Sequence, residues 1–159
     1  MLAYLHAFPG YSYEPGSTEG NFPIMLKKSA PATVLVVDDE ALIRWTLTET
    51  LEARGYDVTE ARDGKSAIAA VEEAGTPFDV VLLDYRLPDS ADLRLLEALK
   101  RKAPTSQVIM ITAHSSPELT HSATALGAFR VINKPFEIGN VADLVDTARQ
   151  GSSTSGTQE

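Results

Sequence analysis

Three aspartates are the residues of this chain whose types and spacing are best suited to chemistry. Asp38 and Asp39 come directly after the apolar run Val34 to Val37, and Asp84 follows the apolar run Val80 to Leu83. If the two runs are neighbouring strands, the carboxylates meet, and the pKa of at least one of them is raised unless a counter-ion is present. Mg2+ suits such a site because it prefers oxygen ligands and keeps positions for water or phosphate.

A hydroxyl and an ammonium group complete the set of candidate residues. Thr112 follows the apolar run Val108 to Ile111, and Lys134 stands after a further short run and directly before Pro135. A metal ion and a lysine together neutralise the charge that spreads over the equatorial oxygens of a phosphoryl group during in-line transfer. A hydroxyl, a cation and several acids are therefore expected at one rim of the fold.

The spacing of the aspartates suggests different roles for them. Asp84 stands alone at its predicted strand end and is the best candidate for a nucleophilic carboxylate, whereas Asp38 and Asp39 form a pair that is better placed to hold the ion. A phosphate-binding loop would have glycines after the first strand, and acids at that place disfavour dinucleotide binding. The pattern predicts phosphoryl transfer to Asp84 with Mg2+ as the cofactor.

The elements that must position these residues alternate along the chain. Five short apolar or β-branched runs are each followed by a helical pattern, and the predicted strands are 34–37, 57–60, 80–83, 108–111 and 129–132. Apolar strands separated by helices indicate a parallel sheet with helices on both faces, because right-handed crossovers place them there. The sequence therefore predicts a doubly wound α/β fold, in which ligands bind outside the carboxyl ends of the strands.

The predicted domain occupies residues 33–149 of the 159-residue chain. Residues 1–32 are rich in proline and glycine, so we expect a flexible or disordered arm, although its aromatic residues leave open that it packs on the domain or on a partner. Residues 150–159 are mostly glycine, serine and threonine, and this composition predicts a disordered tail or the stub of a linker.

Charge and composition limit the expected partners and location. The net charge of -8, with no run of lysine or arginine, disfavours direct binding to nucleic acid. The chain has no cysteine, which fits a reducing compartment, and we expect a cytoplasmic protein. The apolar segment Met1 to Phe8 is too short to span a membrane, so no membrane association is expected.

Four motifs at the predicted strand ends resemble the response-regulator receiver family. They are Val-Val-Asp-Asp-Glu at 36–40, Leu-Leu-Asp-Tyr-Arg-Leu-Pro-Asp at 82–89, Ile-Thr-Ala-His at 111–114 and Gly-Ala-Phe-Arg-Val-Ile-Asn-Lys-Pro-Phe at 127–136. The resemblance extends from about Thr33 to Ala148, and the segment Ile-Arg-Trp at 43–45 looks like receivers of the nitrogen-regulation type. It implies a flavodoxin-like fold with a five-stranded sheet in the order 2-1-3-4-5.

The resemblance also implies a two-component phosphorelay in which Asp84 takes a phosphoryl group from a histidine kinase or a phosphotransfer protein. Asp39 would bind Mg2+ directly, Asp38 directly or through water, and Asp84 and the backbone carbonyl of Arg86 would complete the protein ligands. The domain would be a switch that catalyses only its own phosphorylation and dephosphorylation. A downstream protein would bind the face formed by the fourth helix, the fifth strand and the fifth helix, and a homodimer on phosphorylation is left open.

Further expectations from the resemblance concern the residues around the phosphoryl group. Thr112 would move towards it and form a hydrogen bond, Lys134 would pair with it, and the peptide bond between Lys134 and Pro135 would be cis, which costs little before proline. Arg86 and His114 stand two residues beyond the acceptor and Thr112, at positions that tune hydrolysis of the phosphoryl group.

Two departures from the family pattern keep an alternative open. Val131 stands where the family usually has tyrosine or phenylalanine, and Asp92 replaces the usual glycine before the third helix. Asp92 is a good N-cap residue, although a left-handed backbone there would be strained. The alternative is a pseudo-receiver, an interaction module that signals without phosphate. A hydrolase with an aspartyl nucleophile is a second rival, but its Asp-x-Asp-x-Thr motif is absent.

Overall fold

The computed structural model describes residues 11–12, 27–28 and 30–152. Most of the predicted arm (1–32) and most of the predicted tail (150–159) lie outside the described residues. The chain divides into two units between Pro31 and Ala32. In the first unit, Tyr11–Ser12 pairs antiparallel with Lys27–Lys28. The second unit contains all the candidate residues.

The second unit is a parallel sheet whose strands alternate with helices. The strands are β1 (Thr33–Val37), β2 (Asp57–Ala61), β3 (Val80–Asp84), β4 (Gln107–Thr112) and β5 (Ala128–Asn133). The helices are α1 (Ala41–Ala53), α2 (Gly64–Glu73), α3 (Arg94–Lys102), α4 (Pro117–Ala125) and α5 (Ile138–Ser152). The sheet order is β2-β1-β3-β4-β5 and every pairing is parallel. The predicted doubly wound fold with the order 2-1-3-4-5 is confirmed.

Both faces of the sheet are buried. Successive strand residues point to opposite faces, so neighbours along one strand belong to different cores. Leu83 belongs to a core that also contains Leu96 of α3, whereas its neighbour Leu82 belongs to a second core with Leu47 of α1 and Val145 of α5. Burying one of these aliphatic side chains completely stabilises the folded state by roughly 1.5–3 kcal/mol. All five residues of β3 are buried, so Asp84 ends a strand that lies wholly inside the fold.

The start of α3 differs from the prediction by one residue. Leu93, and not Asp92, occupies the N-cap position. The carboxylate of Asp92 nevertheless accepts a hydrogen bond of 2.9 Å from the backbone N–H of Arg94, so it satisfies one amide of the first turn. Within the described part of the chain, only glycines have positive φ, so Asp92 avoids the left-handed backbone that would be strained.

No helix in the described ranges is long and apolar enough to cross a membrane.

Candidate functional site

The carboxyl ends of β1 and β3 bring three aspartates together. Val37 lies opposite Leu83 in the parallel register, so Asp38 and Asp84 emerge from neighbouring strands at the same edge of the sheet. One oxygen from each of Asp38, Asp39 and Asp84 lies within 4.8 Å of the other two. Mg2+ holds its oxygen ligands at roughly 2 Å, so small rotations of these side chains are enough to place their oxygens around one ion.

Two of the three carboxylates are buried and anchored by the backbone. Asp38 is 1% exposed and Asp84 is 6% exposed, whereas Asp39 is exposed. The backbone N–H of Glu40 donates to Oδ1 of Asp38 at 2.8 Å, and that of Arg86 donates to Oδ1 of Asp84 at 3.2 Å. In each buried carboxylate, one oxygen is therefore fixed by the chain and the other faces the cluster.

Lys134 supplies a cation to this cluster from the end of β5. Its Nζ lies 3.1 Å from Oδ2 of Asp38, 3.2 Å from Oδ2 of Asp84 and 3.0 Å from Oε1 of Glu40. The side chain is 15% exposed, so solvent screens these contacts only in part. The peptide bond between Lys134 and Pro135 is cis, as the family resemblance implied.

The pKa values of these groups reflect burial and the crowding of charge. Burial raises the pKa of Asp38, opposed by the N–H of Glu40 and by Lys134. Burial also raises the pKa of Asp84, and the charge of Asp38 adds to that shift. For Lys134, burial works to lower the pKa, but hydrogen bonds to Glu40 and Asp38 and the charges of both aspartates raise it above its ordinary value.

The pKa of Lys134 responds differently from the pKa values of Asp38 and Asp84 because these groups do not have the same number of oppositely charged partners. Lys134 gains from several carboxylates at once, whereas Asp38 and Asp84 share one ammonium and repel each other. The ionised aspartates crowd negative charge at this edge of the sheet, and a divalent cation would stabilise them. The donor set consists of oxygens, which fits Mg2+.

Thr112 ends β4, the strand next to β3, and is 3% exposed. Its Oγ1 accepts a hydrogen bond of 3.2 Å from the backbone N–H of His114 and donates one of 3.3 Å to the carbonyl of the same residue. The backbone N–H of Lys134 donates to the carbonyl of Thr112 at 2.8 Å, so a backbone bond holds these two residues beside each other. The predicted residues Thr112 and Lys134 therefore lie at the same edge as the aspartates.

Arg44 belongs to the site although the sequence pattern assigned it no role, and Glu40 belongs to it as the third acid after β1. The guanidinium of Arg44 donates to the carbonyl of Asp38 at 2.7 Å and to Oε2 of Glu60 at 2.9 Å, so it ties the loop after β1 to the end of β2. Glu40 accepts from Lys134. The sequence indicates these residues only by their positions: Glu40 stands beside the acid pair, and Arg44 lies in the first turn of the helix that follows.

Comparison with known proteins gives a consistent set of relatives. Residues 34–146 match the family described as response regulator receiver domain. The chain is 40% identical over 115 residues to the DNA-binding transcriptional regulator NtrC of Salmonella typhimurium, covering 72% of this chain and 24% of that protein. It is 40% identical over 114 residues to the response regulator protein PilR of Pseudomonas aeruginosa, covering 72% and 25%. The match thus spans about a quarter of the length of these relatives.

Solved structures show the same fold. A CheY-like response regulator receiver domain protein from Methanospirillum hungatei superposes with a TM-score of 0.74 at 27% identity, covering 79% of this chain and 99% of that one. NtrX from Brucella abortus, solved in complex with ADP, has a TM-score of 0.69 at 33% identity, covering 79% of this chain and 28% of that one.

Proposed function

The chain belongs to the response regulator receiver domain family of two-component systems, and on this basis we propose that Asp84 accepts a phosphoryl group from the phosphohistidine of a histidine kinase or a phosphotransfer protein. The observation that carries the proposal is the convergence of Asp38, Asp39 and Asp84, with ligand oxygens within 4.8 Å of one another, beside the ammonium of Lys134. The domain is a signalling module, and it acts on its own acceptor residue.

The residues that would hold Mg2+ are Asp39 and Asp84 directly, Asp38 directly or through water, and the backbone carbonyl of Arg86. When bound, the ion would keep the carboxylates ionised and neutralise charge on the phosphoryl oxygens. The fit is supported by the oxygen donors and by the closeness of the three carboxylates, whose crowded negative charge a divalent cation would offset.

The transfer itself requires little from the protein beyond position and charge. One oxygen of ionised Asp84 forms the new P–O bond as the bond from phosphorus to the donor's imidazole nitrogen breaks, and the imidazole leaves with that electron pair and takes up a proton. Lys134 would neutralise charge on the phosphoryl oxygens. Because the Nζ of Lys134 is already 3.2 Å from the acceptor carboxylate, it needs no large movement to do so.

The readout would begin at Thr112. To donate its hydroxyl proton to the phosphoryl group, Thr112 must give up the bond that it now donates to the carbonyl of His114. That exchange would move the loop between β4 and α4, and we propose that the face of α4, β5 and α5 then changes its binding of a downstream protein, with a homodimer as one form of this response. The partner, and not this acidic chain, would contact any nucleic acid.

The bounds of the domain and the location of the chain are proposed on the same basis. Residues 33–149 would form the receiver domain. A cytoplasmic location would give the chain access to its kinase.

Acetyl phosphate provides a direct test of this function. With Mg2+, the purified chain should gain the mass of one phosphoryl group, and Asp84→Asn should not. Asp92→Asn is a matched control, because Asp92 is an exposed carboxylate of the loop that follows Asp84 and only touches the start of α3. No gain in the natural chain would support the pseudo-receiver, and continued turnover of unrelated phosphoesters would support the hydrolase.

A further inference from the structure

The N-terminus of α2 is capped by two carboxylates, and one of them comes from a distant loop. Asp63 belongs to the helix itself and accepts from the backbone N–H of Ser66 at 2.7 Å. Asp89 lies between β3 and α3; its Oδ1 accepts from the N–H of Gly64 at 2.7 Å and its Oδ2 from the N–H of Lys65 at 2.9 Å. The first N–H groups of a helix have no partner inside it, so Asp89 satisfies two of them and adds a negative charge at the positive end of the helix.

The chain between the acceptor and Asp89 is closed by short-range contacts. Leu87 and Ser90 exchange both backbone hydrogen bonds, at 2.7 and 3.2 Å. Leu87 is 6% exposed and belongs to the core beneath the loop. The N–H of Arg86 bonds to Asp84. The Leu87 N–H, which shares a peptide group with the Arg86 carbonyl, thus donates to Ser90, the residue after Asp89, so the turn connects the position of Asp89 to that carbonyl.

The contact between the loop and α2 depends on a glycine. A Cβ atom at position 64 would lie 3.1 Å from Oδ1 of Asp89 and 3.2 Å from Cδ2 of Leu95, which is tighter than ordinary packing. The absence of a side chain at Gly64 lets the carboxylate reach both amides of the helix.

We propose that Asp89 is a positioning residue for the metal site, because its two bonds to α2 hold the loop after β3 and with it the peptide group that carries the Arg86 carbonyl. The inference rests on the proposed function, in which the Arg86 carbonyl is a metal ligand. Outer contacts of this kind orient ligands, and their loss weakens metal affinity by roughly 10–100-fold.

The two caps of α2 provide a matched pair of variants. Asp63→Ala and Asp89→Ala each remove a carboxylate from the same helix end, but only Asp89→Ala releases the loop. Titration calorimetry with Mg2+ should show a dissociation constant about tenfold higher in Asp89→Ala and unchanged in Asp63→Ala. Asp89→Asn should recover only part of the affinity, because its amide oxygen can accept from one of the two N–H groups while its amide nitrogen cannot accept from the other.

The possible outcomes are distinct. Equal Mg2+ affinity in Asp63→Ala and Asp89→Ala, whether reduced or normal, overturns the role of Asp89 while leaving the proposed function intact. A natural chain that binds no Mg2+ overturns both. If Asp89→Ala does not fold, Asp89→Asn decides the question, since it loses one of the two bonds to α2: weaker Mg2+ binding than in the natural chain supports the role and unchanged binding contradicts it.

Discussion

The ammonium nitrogen of Lys134 lies 3.2 Å from Oδ2 of Asp84, although β4 lies between β3, which Asp84 ends, and β5, which Lys134 follows. The same nitrogen contacts Oδ2 of Asp38. Two of the oxygens that Lys134 contacts thus belong to carboxylates that would hold a divalent cation. Lys134 should therefore compete with Mg2+ for these oxygens before phosphorylation. During phosphorylation it should neutralise charge on the phosphoryl oxygens.

Replacing Lys134 by methionine should separate these two effects. Without the competing ammonium, Lys134→Met should bind Mg2+ more tightly by on the order of tenfold, which corresponds to about 1.4 kcal/mol. Its rate of phosphoryl acceptance from acetyl phosphate should fall by about 10²-fold, the usual cost of losing one group that stabilises transition-state charge. Lys102→Met, which removes a surface ion pair with Glu72, is the control for both measurements. Weaker Mg2+ binding in Lys134→Met would contradict the competition.

Mg2+ should stabilise the folded chain through the aspartate cluster. At a concentration a hundredfold above its dissociation constant, a ligand that binds only the folded state adds about 2.7 kcal/mol to the free energy of unfolding. Urea unfolding should show most of this gain lost in Asp39→Ala. It should be kept in Asp57→Ala, which removes an exposed carboxylate at the start of β2. A similar gain in both variants would place the cation elsewhere.

The buried carboxylate of Asp84 should make stability depend on pH in a defined direction. Because burial and Asp38 raise its pKa in the folded chain, the folded state favours the protonated form. This contribution to stability is fully present below the ordinary value of 3.8 and is lost as the pH rises through the raised value. Without divalent ions at neutral pH, Asp84→Asn should therefore be more stable than the natural chain, by on the order of 1 kcal/mol.

Unfolding midpoints in urea, measured over a pH series, test this direction. The advantage of Asp84→Asn should shrink as the pH falls towards the ordinary value. An Asp84→Asn chain that is less stable at neutral pH would show that Lys134 stabilises the ionised form more than burial disfavours it.

Tyr56 forms a separate junction that should affect stability alone. Its hydroxyl donates to Asp146, which also accepts from Arg54, so the end of α1 is tied to α5. Burial and Asp146 raise the pKa of Tyr56 to about 12, so this protonated contact persists until the pH rises towards that value. Tyr56→Phe should lose about 1 kcal/mol of unfolding free energy at neutral pH. Calorimetry should find its Mg2+ affinity unchanged; a weaker site would link the junction to the cluster.

The ends of the strands could be predicted from the sequence because periodicity and topology determine them. The apolar runs before Asp38 and Asp84 identify two buried strands, and parallel strands end at one edge of the sheet. The position of Thr112 and Lys134 at that edge follows from the same argument. The exact strand order came from the family resemblance, since spacing alone does not determine which strands are neighbours.

The contacts that fix the loops could not be predicted in this way. Arg44 reaches the Asp38 carbonyl and Glu60, and Asp89 reaches the first amides of α2, only after the helices have docked on the sheet. Such contacts depend on tertiary distances between residues of different elements. For the same reason, the one-residue error at Asp92 is understandable: its carboxylate bonds to Arg94 from just outside the helix, a difference that composition does not reveal.

Chemical trapping of the acyl phosphate tests the central claim most directly. The natural chain would be treated with acetyl phosphate and Mg2+, reduced with borohydride, digested, and mapped by peptide mass spectrometry. The account predicts that the modified residue is Asp84 and that a chelator prevents the modification. Modification at Asp38 or Asp39 instead, or a chain that remains unmodified while Mg2+ is bound, would contradict it.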